Sequence, residues 1–340
     1  MRLSTKLPDS LRHSTIAAIA FAAMVIHGGG TCAHAAARDS GSSYPSKPIR
    51  LIVPYAPGGN GDILARVNAH KLAESLDQQV VVDNRVGANG IVGTDMCAKA
   101  LPDGYTLLYV ASGHATNPAL YGKLPYDTLR DFEPVGLTAS SPLLVAVALN
   151  VPAKSIKELI VLARSQPKKL NYATAGAASS GHLSAILFNT MAGLEIVHVP
   201  YKSVAQATTD LIGGQIQVMF PSVTSVLPHV KANRVRALAI TSAQRSALLP
   251  DMPTVAESGL AGYEMSIWNA ILAPARTPKN IVAKLNAQLR DIAQAPDVKE
   301  RFASIGADTL HGTPEALAAF LKVEITKWDK ILRAAGVRLD

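Results

Sequence analysis

The loop Pro54-Tyr55-Ala56-Pro57-Gly58-Gly59-Asn60-Gly61-Asp62 carries residue types suited to holding an anion rather than to making bonds. Gly58 and Gly59 let the backbone take positive φ and admit a ligand without meeting a Cβ. A helix starting here leaves its first N–H groups without intrahelical acceptors, and its dipole favours negative charge at that end. Asp62 reads as the cap of that helix. A second stretch, Ala175-Gly176-Ala177-Ala178-Ser179-Ser180-Gly181-His182, repeats the device with small residues, a helix start and two hydroxyls able to donate to a carboxylate. Tight strand-to-helix turns without a ligand use the same residues, with Ser179 as an ordinary cap.

Other chemistries fit less well. Ala177-Ala178-Ser179-Ser180-Gly181 resembles a degraded nucleophile elbow with Ser179 as the attacking group, but the first Gly of G-x-S-x-G is missing. No His and Asp pair for such a hydrolase is identifiable. Gly59-Asn60-Gly61 with Asp83 mimics a dinucleotide fingerprint, yet Leu64 occupies the third glycine position. Of the nine histidines, none falls in an H-x-x-x-H or H-E-x-x-H spacing, so no metal is expected, and no cofactor. His114, two residues after Ser112, and His182 follow strand ends at expected clefts, where ligand contact and loop support are equally readable. Tyr201-Lys202 places a phenol and an ammonium after another strand, at the same cleft or in a solvated turn. Trp268 reads as core.

These loops need strands and helices to aim them. Ile49 to Val53 is an apolar run of strand length, and Ala65, Ala69, Leu72, Ala73 and Leu76 form one helical stripe. Val80 to Val82, Tyr105 to Val110, Leu170 to Ala175, Ile196 to Val199, Ile216 to Phe220 and Val235 to Ile240 read as further strands alternating with helices. That alternation predicts βαβ units and mostly parallel sheets. Leu143 to Leu149 and Glu264 to Ala273 are extended segments outside the alternation and read as crossings between two lobes. Ser155-Ile156-Lys157-Glu158 has the form of a capping box. Thr277-Pro278 and Thr313-Pro314 each predict an N-cap followed by Pro at the first helical position.

Composition bounds the function. The 340 residues are 48% hydrophobic and 17% charged, enough for one large domain or two of ordinary size. A formal charge of +8 without a dense Lys/Arg block, and only 5% aromatics, argue against nucleic acid. Arg2, Lys6 and Arg12 precede an apolar run, Ile16 to Ile26, and Ala33-His34-Ala35 supplies an A-x-A site. Residues 1–35 therefore read as a cleavable signal peptide and 36–46 as a leader, which places the mature chain in the periplasm. Gly29-Gly30-Thr31 is a poor lipobox for Cys32, and Cys97 has no partner for a disulfide once Cys32 is removed.

Several stretches, in order and spacing, resemble the Bug family, the TctC-like extracytoplasmic solute-binding receptors of tripartite tricarboxylate transporters. They include Val53-Pro54-Tyr55-Ala56-Pro57-Gly58-Gly59 with Asp62 and Arg66, Pro102-Asp103-Gly104-Tyr105, and Asn117-Pro118-Ala119-Leu120-Tyr121. His198-Val199-Pro200-Tyr201-Lys202 and Leu249-Pro250-Asp251-Met252-Pro253-Thr254-Val255 complete the set. The resemblance implies an α/β, type II periplasmic-binding-protein fold: two α/β lobes joined by two crossover strands, with a ligand cleft between them. It divides the chain into a first lobe of 47–142 and 266–340 and a second of 143–265. It further implies a non-enzymatic receptor for a small carboxylate, a di- or tricarboxylate, working with the membrane subunits of a transporter; a sensor-linked orphan receptor would share this chemistry, and because nothing in the sequence suggests an obligate interface a monomer is expected. The ligand residues it implies are Tyr55, Pro57, Gly58, Gly59 and Asp62 with Ser112 and His114, facing Gly176, Ala178, Ser179, Ser180, His182, Tyr201 and Lys202. Ala178 replaces a family glycine. Pro221 replaces a common Asp, removing a partner for a ligand ammonium and so arguing against an amino-acid ligand.

Overall fold

Val, Ile and Leu at alternate and consecutive positions give the first strand two buried faces, and the rest of the architecture is laid down around it. In the computed structural model, which describes residues 44–176, 179–246 and 249–339, the elements run as follows. The first part of the chain gives β1 (Ile49–Val53), α1 (Asn60–Leu76), β2 (Val80–Asn84), α2 (Ile91–Ala98), β3 (Thr106–Ala111), α3 (Gly113–Leu120) and β4 (Phe132–Pro142). The middle gives β5 (Leu144–Ala148), α4 (Ile156–Ser165), β6 (Asn171–Thr174), α5 (Ser180–Ala192), β7 (Val197–Pro200), α6 (Val204–Ile212), β8 (Val218–Met219), α7 (Val223–Lys231) and β9 (Val235–Ile240). The chain then returns through β10 (Ser266–Pro274), α8 (Lys279–Gln294), α9 (Pro296–Ser304), β11 (Asp308–Thr309) and α10 (Pro314–Ala334).

Two sheets result, ordered β11-β4-β10-β3-β1-β2 and β7-β6-β8-β5-β9. Both are mixed rather than mostly parallel. The βαβ units pair β1 with β2 and β3, and β6 with β7 and β8, in parallel. The returning strand β10 runs antiparallel to β3 and β4, and β5 runs antiparallel to β8 and β9. A chain that leaves one lobe and comes back must reverse direction, which the alternation of strands and helices does not encode.

Thr241 clamps the two crossings together. Its buried hydroxyl accepts from the Leu143 amide at 2.8 Å and donates to the Leu143 carbonyl at 3.1 Å. Its own amide donates to the same carbonyl at 2.9 Å, and its carbonyl accepts from Met265 at 2.9 Å. Every polar group of Leu143 and Thr241, both fully buried, is thereby paired.

Helix α8 buries Ile281, Val282, Leu285, Leu289 and Ile292 on one face, the stripe an amphipathic helix needs to lie on a sheet. Ser155 caps α4 by accepting the Glu158 amide, and Thr313 caps α10 by accepting the Ala316 amide. Thr277 does not cap α8: its hydroxyl turns back to the Pro274 carbonyl at 2.7 Å, and Pro278 takes the cap position. Helix α10 serves both lobes. Leu317 and Leu321 join the cluster around Trp268, whereas Trp328 and Leu332 join the cluster of the second sheet. Assigning all of 266–340 to the first lobe misses this. Between those halves the buried Glu324 carboxylate accepts from the indoles of Trp268 (3.2 Å) and Trp328 (3.1 Å) and pairs with Lys327.

Candidate ligand-binding site

A cavity of about 530 Å³ lies between the lobes, of the size that small-molecule sites occupy. The first lobe brings Asn60 and Ile63 from α1 and Ser304 and Ile305 from the end of α9. The second brings the end of β6 with Ser179, Ser180 and Gly181, and Phe220 to Ser222 with Thr224 at the start of α7. Ile267 of the crossing strand β10 also contributes to the lining.

Four helices begin at this cavity: α1, α5, α6, whose first residue Val204 lines it, and α7. At α5, Ser179 is the cap: its Oγ accepts the His182 amide at 3.3 Å and donates to the Gly176 carbonyl at 2.8 Å. The amides of Ser180 and Gly181 have no acceptor among the described residues and are the donors of that terminus. Gly181 is required for close approach: a Cβ there would stand 2.9 Å from the Phe220 carbonyl oxygen. That contact seats α5 on the segment leading into α7, so the two helix starts share one pole of the cavity.

At α1 the expected arrangement is only partly present. Asp62 is not the cap; Gly59 is, and it has no capping side chain. The Asp62 carboxylate instead accepts the Gly58 amide at 2.9 Å, Arg66 Nε at 2.9 Å and Asn84 Nδ2 at 2.8 Å. Burial alone would raise its pKa, but these donors outweigh that and hold it below the usual carboxylate range. The Gly59 amide is spent on the Ala56 carbonyl. Gly58 and Gly59 therefore shape the loop with their amides turned inward, and Asn60 is the loop residue that lines the cavity, its side chain resting on Ser141 Oγ at 3.3 Å. Tyr55 braces the loop from below: its ring lies against Gly61, and its oxygen accepts the Ala111 amide at 2.6 Å. Pro57 is exposed on the loop and does not line the cavity.

Of the remaining expected residues, Gly176 stands behind the second loop with φ +99°, its carbonyl accepting from Ser179 and Thr174. Ala178 lies outside the described residues. His182 is buried, its ring stacked 4.0 Å from that of His198, which in turn stacks on Tyr172. Burial and the neighbouring His198 push the His182 pKa down to about 4, and burial lowers that of His198. His198 Nε2 lies 2.7 Å from Thr174 Oγ1, which reaches the Gly176 carbonyl at 3.1 Å. The hydroxyl has one hydrogen, so both contacts are met when Nε2 carries the proton.

Four more expected contacts, like Pro57, do not line the cavity. His114 is core: it stacks on Tyr126, meets the edge of Phe132, and its Nε2 faces the Thr128 carbonyl at 3.3 Å. Burial pushes its pKa down to about 4. Ser112 is buried at the start of α3 and, like His114, does not line the cavity. The Tyr201 hydroxyl donates to Asp210 at 2.7 Å, and Lys202 is exposed in the following turn. Cavity residues not foreseen as ligand contacts include Ile63, Val204, Phe220, Ser222, Ser304 and Ile305. Ser222 before an apolar helical stripe is a readable cap signal, whereas Ile305 reaches the cavity only through tertiary packing.

Known proteins share this build. A sequence model of the TctC family, described as tripartite tricarboxylate transporter family receptor, matches residues 64–337. BugT of Bordetella pertussis is 37% identical over 306 residues, spanning 89% of this chain and 94% of its own. The R. palustris protein Rpa4515, solved with adipate, is 36% identical with a TM-score of 0.72, covering 87% of this chain and 100% of its own. The periplasmic binding protein BugD is 36% identical with a TM-score of 0.69, over 87% of this chain and 100% of its own.

Proposed function

The chain belongs to the tripartite tricarboxylate transporter receptor family, TctC, and on that premise we propose that it captures a small organic carboxylate in the periplasm and hands it to the membrane subunits of such a transporter. The family is one of solute-binding receptors, not of enzymes. Ser179 accordingly acts as a helix cap and not as a nucleophile. Residues 1–35, read as the export signal, lie outside the described residues, and no helix among the described residues is long and apolar enough to cross a membrane.

The observation that carries this reading is the cavity at four helix starts, with the Ser180 and Gly181 amides, which have no acceptor among the described residues, on one side and Asn60 on the other. A carboxylate placed there receives charge-assisted hydrogen bonds and the favourable end of each helix dipole. Closing the lobes removes water and strengthens those bonds. The ligand stabilises only the state it touches from both lobes, so closure reports occupancy to the membrane partner. The resemblance carries the finer expectation of a di- or tricarboxylate, and Rpa4515 was solved with adipate. A thermal-shift screen against mono-, di- and tricarboxylates tests the reading. At least one should raise Tm in a dose-dependent way, and Ser180→Pro, which removes the amide at a first-turn position that tolerates Pro, should weaken it; no shift with any of them would refute it.

A further inference from the structure

The register of the crossing strands sorts their side chains onto two faces. Ile267 on β10 pairs with Ser141 on β4. Ile267 lines the ligand cavity, and Ser141 accepts from Asn60, which lines it too. One residue along, Trp268, Ser140 and Asp308 form a row across β10, β4 and β11. Successive strand residues point to opposite faces, and this row lines a different chamber, of about 290 Å³. The ligand cavity and the rear chamber therefore lie on opposite sides of the strands that join the lobes.

Both lobes also wall the rear chamber. Asp308, Leu310 and Phe320 come from the first, and the stretch 242–245, which follows Thr241, comes from the second. The buried Ser246 hydroxyl donates to Asp308 at 3.0 Å from one lobe to the other. Where the strands cross, the bonds between Leu143 and Thr241 fix a line about which the lobes can turn. Densely packed lobes turn as bodies, so a rotation that narrows the space on one side of that line widens it on the other.

We propose that the rear chamber controls the ligand cavity: bulk that holds the chamber open shuts the lobes on the far side and tightens ligand binding without touching the ligand. This rests on the reading that capture closes the lobes. A closed state already populated before the ligand arrives lowers the apparent Kd by the same factor. Bulk at Thr224, which lines the ligand cavity, acts with the opposite sign.

Distances between the lobes test this without any ligand. Nitroxide labels at His70→Cys on α1 and Gln206→Cys on α6, both exposed, report them by double electron–electron resonance. A Cys32→Ser background leaves Cys97, which is fully buried, as the one native cysteine. Ala243→Trp on the second-lobe wall and Leu310→Trp on the first-lobe wall should each raise the ratio of short to long distances at least about threefold, both in the parent and in a Thr224→Trp background. Thr224→Trp alone should lower that ratio. Ala243 is exposed, so its replacement leaves the core intact. Rear substitutions that leave the ratio unchanged in both backgrounds, or that lower it, would overturn the inference, as would one fixed distance in every variant. Failure of all carboxylates to raise Tm would instead remove the receptor reading and leave these distances as they are.

Discussion

Thr224 and Gly306 meet across the cleft: a Cβ on Gly306 would lie 2.7 Å from Thr224 Cγ2. Thr224 belongs to the first turn of α7, and Gly306 to the turn between α9 and β11. Both flank lining residues of the cavity, Ser222 on one side and Ile305 on the other. Contact between the lobes and enclosure of the ligand are therefore one event at this point.

Bulk at that point should hold the lobes apart. Thr224 is exposed, so Thr224→Trp leaves the core of the second lobe untouched. Its expected effect is an apparent Kd raised about tenfold or more, because the closed state becomes rarer, with the Tm of the unliganded chain nearly unchanged. Calorimetry paired with thermal melts checks both halves of that statement.

Gly181→Ala places a methyl group 2.9 Å from the Phe220 carbonyl oxygen, backbone against backbone, where neither side yields easily. A loss of about 1–3 kcal/mol is expected from such overpacking, together with weaker ligand binding as α5 is pushed off its seat. Gly59→Val is the contrast. Gly59 is exposed with φ −73°, and a Cβ there would stand 3.3 Å from the Ala56 carbonyl oxygen, so that variant should lose less stability than Gly181→Ala while losing affinity through crowding beside Asn60. Urea melts of the two variants should separate them.

Asp62→Asn removes the charge that holds the Gly58 amide, Arg66 and Asn84, at an expected cost of about 1–3 kcal/mol near neutral pH. The Asp62 pKa is depressed in the folded chain. Its stabilisation is therefore complete above the unfolded carboxylate value, about 3.9, and disappears as pH falls through the lower folded one. The stability gap between the wild type and Asp62→Asn should accordingly close in acid.

His114 and His182 act on a different pH window. Both have pKa values pushed down to about 4, so the folded chain binds fewer protons than the unfolded one below the ordinary histidine value. Their stabilisation is full above about pH 6.5 and is lost between there and about pH 4, at roughly 3 kcal/mol for each. Tm should fall steeply across that range, and His114→Phe, which suits a site beside Tyr126 and Phe132, should flatten the slope.

The features legible in the sequence were those decided within a few residues. Ser155, Ser179 and Thr313 cap the helices that follow them because a hydroxyl three residues before an open amide needs nothing else. The strands from Ile49 and Thr106 follow from apolar runs buried on both faces. His114 was misplaced because its position after a strand end looks like a cleft, while Tyr126 and Phe132, which enclose it, arrive from farther along the chain. Gly58 takes the positive φ that its type suggests, +79°, but its inward-turned amide has no signal in the loop itself, because a carboxylate four residues on claims it. Ile305 had no local signal at all: α9 carries it to the cavity from a part of the chain remote from both glycine-containing loops.

A crystal structure of the chain with its tightest-binding carboxylate tests the central claim most directly. The carboxylate oxygens should lie at hydrogen-bonding distance, roughly 2.7–3.2 Å, from the Ser180 and Gly181 amide nitrogens, with both lobes in contact with the ligand. A ligand seated elsewhere, or one turning its carboxylate toward Ile63 and Ile305, would contradict the account.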